Sequence, residues 1–142
     1  MQYFDTSALF PYYRPEAIST KVQKLLRAPK AVVAISPLVE VEFASVLARL
    51  VRMKELSDAH AATIHAAFEE DLGNGCFERI EIGSTVFRLA EEWLLSRKTP
   101  LRTLDALHLA NAALAGAKLI TGDEVLARAA KQFGVPVSLI AA

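Results

Sequence analysis

Short apolar runs alternate with helical segments along this chain, and that alternation limits its possible folds more than any other feature. "QYF", positions 2–4, reads as a first strand. A helix is predicted from Ala17 to Arg27, where Ile18, Val22, Leu25 and Leu26 fall near one face. Ala31 to Ile35 reads as a buried strand entered through Pro29. Ser36 followed by Pro37 is a helix start signal, and that helix is predicted to run to about Met53. "LSDAHAATIHAAFEEDLGNG" predicts another helix, with Ser57 or Asp58 as its cap and Gly73 as its stop. "CFERIEI" reads as a strand ending at Gly83, and "STVFRLAEEWLLSR" as a helix capped by Ser84. "TLDALHLANAALAG" is a very apolar helix, capped by Thr103 and closed by Gly116. "KLIT" is a short buried strand, "DEVLARAAKQFG" a helix and "VPVSLI" a last strand. Such alternation predicts an α/β fold whose parallel sheet is wrapped on both faces. Right-handed crossovers point the strands the same way, so their carboxyl ends share one edge. Open α/β sheets bind ligands at that edge.

The chain has 142 residues, enough for one ordinary domain with its own core, and 1–142 reads as a single domain. With 53% hydrophobic and 23% charged residues it reads as soluble and globular. No run is long and apolar enough to span a membrane, and the first residues lack a signal-peptide pattern. Cys76 is the only cysteine, which excludes an internal disulfide and a cysteine-based zinc site. The expected location is the cytoplasm. Zero formal net charge argues against a strongly basic nucleic-acid coat protein, but a local patch can still bind phosphate.

Four acids carry the chemistry. Asp5 lies just past the first strand and Asp123 just past "KLIT", so both should emerge at the ligand edge. Taken singly, each also serves as a turn or cap residue. Asp105 sits in the first turn of a helix that is apolar nearly all round, which implies burial. An acid there suits the helix dipole, yet a buried carboxylate is costly unless it is paired or holds a metal. His108 falls on the same face three residues on and reads as a packed residue with no catalytic role. Glu42 lies inward on its helix, among Leu38, Val39, Val46, Leu50 and Met53, whereas Glu40 points to the polar margin. On its own, Glu42 would be a boundary residue paired with Arg49. The four together are harder to explain as caps. Hard divalent cations take several oxygen ligands, and clustered carboxylates repel one another unless a cation lies between them.

"YFDTSAL", "SPLVEVEF", "LDALHLANAAL" and "ITGDEVL" occur here in the order found in PIN-domain ribonucleases. The chain most resembles the VapC-type toxins of toxin–antitoxin pairs, and the match covers essentially all of it. The resemblance implies a three-layer α/β/α sandwich with a mostly parallel sheet and RNA hydrolysis dependent on Mg²⁺ or Mn²⁺. It implies catalytic and metal-binding roles for Asp5, Glu42, Asp105 and Asp123. Asp5 and Asp105 would ligate directly, while Glu42 and Asp123 would bind a second ion or act through water. Thr6 and Thr121 would be the supporting hydroxyls that orient Asp5 and Asp123. The resemblance further implies a homodimer, a small antitoxin partner, and products with 5′-phosphate and 3′-hydroxyl ends.

Other residues say less. Arg14, in the predicted loop "FPYYRPE", and Arg102 read as surface cations within reach of RNA phosphate. Tyr12 and Tyr13 would stack a base or form part of a partner surface, and Trp93 belongs to the core or a dimer interface. Glu69, Glu70 and Asp71 read as a solvated helix end. Two other functions compete. A phosphorylated aspartate would need a second acid beside Asp5 and a lysine after the late strand, whereas Lys118 precedes it. A PIN-like fold kept as a non-catalytic scaffold would gain nothing from repelling carboxylates at one edge.

Overall fold

The structure is a computed structural model that describes residues 1–14, 19–27 and 32–140. Strand β1 (Gln2–Phe4) lies between β2 (Val33–Ile35) and β4 (Lys118–Thr121), parallel to both. Strand β3 (Glu78–Arg79) extends the sheet beyond β2, and β5 (Val137–Leu139) extends it beyond β4. The order is β3-β2-β1-β4-β5 and every pairing is parallel. Among the described residues seven helices connect the strands: α1 (Thr6–Tyr13), α2 (Ser19–Leu26), α3 (Pro37–Arg52), α4 (Asp58–Gly73), α5 (Ser84–Ser96), α6 (Thr103–Leu114) and α7 (Glu124–Gln132). None of them is long and apolar enough to cross a membrane.

Successive strand residues face opposite sides, and this divides the core in two. Tyr3, Ala34 and Leu119 pack with Val86 and Ala90 of α5, Ala106 and Ala110 of α6, and Leu126 of α7. Phe4, Ile35 and Ile120 pack on the other side with Leu9 of α1, Val39 and Phe43 of α3, and Phe68 of α4. The result is an α/β/α arrangement with a fully parallel sheet. Phe43 and Phe68 are stacked with ring centroids 4.3 Å apart. Burying each such ring contributes roughly 1.5–3 kcal/mol.

Several local expectations shift. The helix predicted over Ala17–Arg27 is present as α2, while Ala17, Ile18, Pro29 and Ala31 lie outside the described residues. "FPYYRPE" is not a loop at its start, because α1 runs through Pro11 to Tyr13. Pro11 has no N–H to give to the Ser7 carbonyl, yet its fixed φ suits a helix. "CFERIEI" yields only the two-residue β3, an exposed strand paired on one side alone. Ser84 and Thr103 stand at the first helical positions, after N-caps Gly83 and Arg102 that make no side-chain cap bond. Gly116 does follow α6, with φ +65°, a left-handed turn that glycine takes without steric cost.

Candidate metal centre at the carboxyl edge of the sheet

Asp5 follows β1 and is 4% exposed. It is both a cap and a candidate ligand. Its Oδ1 accepts from Ala8 N at 3.1 Å, capping α1, and from Ser7 Oγ at 2.7 Å. Its Oδ2 accepts from Thr121 Oγ1 at 2.5 Å. Ser7 Oγ in turn accepts from Gly122 N at 2.8 Å. The approach is tight: a Cβ at position 122 would stand 3.3 Å from the Ser7 carbonyl oxygen, which would have to give by a few tenths of an ångström. Burial raises the Asp5 pKa above the ordinary aspartate value, and the charge of His108 and these hydrogen bonds oppose that rise only in part.

Asp123 caps α7 through Oδ1, which accepts from Val125 N at 2.8 Å and Leu126 N at 3.2 Å. Its own N–H donates to Thr121 Oγ1 at 3.0 Å. The two threonines therefore serve other partners than expected. Thr121 orients Asp5 and touches Asp123 only through the main chain. Thr6 donates to Glu42 Oε1 at 2.9 Å, and among the described residues its hydroxyl makes no hydrogen bond to Asp5. Ser7 takes the role foreseen for Thr6; its only trace in the sequence is a hydroxyl two residues past Asp5, a common local bonding distance.

Glu42 is held by α3 and is tied to a buried chain of side chains, not to Arg49. Its Oε1 accepts from Thr6 and from His108 Nε2. His108 Nδ1 lies 2.7 Å from Tyr3 Oη, which lies 2.8 Å from Ser36 Oγ. Burial alone would raise the Glu42 pKa, but the hydrogen bond and charge of His108, helped by Thr6, hold it below the usual glutamate value. Glu40 faces away and forms a two-pronged pair with Arg79 at 2.9 Å. Burial pushes the Tyr3 hydroxyl up to about 12, so it keeps its proton.

Asp105, in the first turn of α6, takes no hydrogen bond among the described residues. Burial pushes its pKa up to about 6, and the negative charges of Asp123, Asp5 and Glu42 add to the rise. That coupling is the electrostatic signature of carboxylates converging on one place. An all-oxygen donor set of this kind fits a hard divalent cation and suits a soft metal poorly. Among the described residues no three of these acids, histidines or cysteine form a ready-made ligand cluster. Glu42 is bonded to His108. His108 itself is buried, as a packed residue should be.

The residues outside this edge also find their places. The Tyr13 hydroxyl donates to Asp71 Oδ2 at 2.6 Å, and its ring packs edge-on against Phe43. Asp71 is thus a structural partner as well as part of a helix end. Trp93 stacks on Phe133 with centroids 4.6 Å apart. Arg14 is the C-cap of α1, and Arg102 is exposed beside the start of α6.

The PIN domain family matches the sequence over residues 3–132. Sequence comparison with curated proteins gives no match. Among solved structures, FitAcB from Neisseria gonorrhoeae superposes with a TM-score of 0.72 at 17% identity, covering 96% of each chain. VapC20 from Mycobacterium tuberculosis, described as a sarcin-ricin loop cleaving toxin, has a TM-score of 0.68 at 18% identity, covering 91% of this chain and 95% of that one. A toxin–antitoxin complex from Klebsiella pneumoniae has a TM-score of 0.63 at 23% identity, covering 97% and 96%. At these identities the likeness is one of fold, and it agrees with the family match: the chain belongs to the PIN domain family.

Proposed function

We propose that this protein is a metal-dependent endoribonuclease that hydrolyses RNA phosphodiester bonds and acts as the toxin of a toxin–antitoxin pair. The observation that supports the reading is Asp105, partly buried without a hydrogen-bond partner among the described residues, its pKa raised to about 6 by burial first and then by the charges of Asp123, Asp5 and Glu42. Acids from positions 5, 42, 105 and 123 are thereby electrostatically joined at the edge where parallel sheets bind ligands. Asp5, Glu42, Asp105 and Asp123 would hold Mg²⁺ or Mn²⁺. When bound, such an ion activates water and neutralises charge on the phosphate.

The chain's own contribution is positioning. Asp5 is fixed by three donors, and Asp123 keeps Oδ2 available while Oδ1 caps α7. Among the described residues Asp105 takes no hydrogen bond that would compete with a cation. Arg102, exposed at the N-cap of the helix that carries Asp105, would contact an RNA phosphate. The titration that tests this measures cleavage of RNA with Mg²⁺, with Mn²⁺ and with chelator. Cleavage should need the ion, leave 5′-phosphate ends and vanish in Asp105→Asn. Cutting that persists in chelator would remove the assignment.

The toxin reading draws on the structural neighbours, which include toxin–antitoxin complexes. It brings with it a small antitoxin and a homodimer. Phe87 and Leu95 of α5 and Leu104 of α6 are exposed apolar side chains beside a groove of about 790 Å³. Arg88 and Glu91 line that groove, so a two-fold arrangement can set each arginine against the glutamate of the other copy. Sedimentation of Leu95→Lys against the wild type checks this assignment. The competing reading, a non-catalytic PIN-like scaffold, rests on the absence of a pre-drawn ligand cluster among the described residues. The same cation titration separates the two.

A further inference from the structure

We infer that Tyr3 and His108 are positioning residues that lock Glu42 into a pose offering a single oxygen to the site. The inference rests on the nuclease reading above and deepens it. A carboxylate oxygen can only accept, so both groups on Glu42 Oε1 must donate: Thr6 Oγ1–H and His108 Nε2–H. The other ring nitrogen, Nδ1, is 2.7 Å from Tyr3 Oη, and that oxygen is 2.8 Å from Ser36 Oγ. The bonds run in series from Ser36 through Tyr3 and His108 to Glu42.

Ser36 gives independent support. It is the N-cap of α3 and is fully buried, yet its side chain makes no cap bond. A serine at an N-cap ordinarily accepts from the first helical turn. Here its hydroxyl is committed to Tyr3 instead. Glu42 Oε2 takes no hydrogen bond among the described residues. The chain therefore fixes which oxygen of Glu42 a cation or its water can use, as outer hydrogen-bond partners do in metal sites.

The test has two arms. In the cation-free wild-type protein, ¹⁵N resonances of His108 should show a proton on Nε2, where Glu42 accepts it. An Nε2 without a proton overturns the inference. In the second arm Mn²⁺ affinity is measured without RNA for Tyr3→Phe, His108→Leu and His108→Gln. Tyr3→Phe and His108→Leu should weaken binding roughly tenfold. The glutamine, whose Nε2 can still donate to Glu42, should recover most of the loss. With RNA and Mg²⁺, kcat should fall while KM for RNA holds. Unchanged Mn²⁺ affinity with only a lower unfolding temperature would make the chain structural and leave the nuclease reading standing. A wild type that binds no Mn²⁺ would end both. Should the two larger substitutions fail to fold, Thr6→Val removes the other donor to the same oxygen and should weaken Mn²⁺ binding as well; no loss there overturns the lock.

Discussion

The Thr121 hydroxyl donates to Asp5 Oδ2 at 2.5 Å and so joins the end of β4 to the end of β1. Both residues are buried, so the bond lies where water cannot replace it. Thr121→Val should remove the donor with little change in shape and leave part of a buried carboxylate unpaired. The expected loss is about 1–3 kcal/mol in denaturant unfolding. Thr121→Ser, which keeps the hydroxyl, should lose less than half of that.

Asp5 has two functions that substitution can separate. Asp5→Asn keeps an oxygen to accept from Ala8 N and so keeps the α1 cap, while removing the charge. It should fold with near-normal stability and bind Mn²⁺ far more weakly. Asp5→Ala removes the cap as well, at a cost of about 1 kcal/mol, and strands the hydroxyls of Ser7 and Thr121. Paired unfolding curves and Mn²⁺ titrations would reveal this separation. Equal cation affinity in Asp5→Asn and wild type would contradict it.

The pH dependence follows from Asp105. Its folded pKa is about 6 against an ordinary 3.8, so the folded chain binds the extra proton. That stabilising term is present below about 4 and is lost as pH rises through 6. Asp5 is shifted the same way; Glu42, shifted down, acts oppositely and only as pH falls through its own lowered value. The cation-free protein should therefore lose stability between about pH 4 and 6.5. With screening at the half-open carboxylate, the part due to Asp105 is on the order of 1 kcal/mol. Asp105→Asn should flatten that slope and raise the melting temperature at pH 7, while Mg²⁺ should stabilise the wild type more than the variant.

Phe43 anchors the α3 side of the core. It is fully buried, stacked on Phe68, and edge-on to Phe10 at 5.0 Å. Phe43→Ala should cost about 3–5 kcal/mol by urea unfolding. Because Glu42 is the preceding residue, the same change should weaken cation binding in whatever fraction remains folded.

The sequence showed the central elements and hid the partnerships between side chains. Strands β1, β2 and β4 were readable because short apolar runs are bounded by Asp5, Ser36 and Gly122. The shared face of Asp105 and His108 followed from helical spacing alone. Helix α1 was missed because Pro11 and two tyrosines resemble loop composition, while the burial of Leu9 and Phe10 overrides that local signal. Caps were misjudged by one residue at Ser84 and Thr103, where the chain uses Gly83 and Arg102 without a capping side chain. The exchanged roles of Thr6, Ser7 and Thr121 depend on how β4 registers against β1, which pairs Phe4 with Ile120. No linear spacing encodes that register. The pairing of Glu42 with Arg49 failed for the same reason: Thr6 and His108 reach it from elements far away in sequence.

The placement of β4 beside β1 has a bearing on synthesis. A ribosome making this polypeptide releases Asp5 first and Thr121 and Asp123 only near the end. Until then the early aspartate lacks its restraining hydroxyl and the late acid does not exist. A cation site built from these acids, as proposed above, is therefore complete only after β4 and the residues that follow it have been made and paired with the oldest strand.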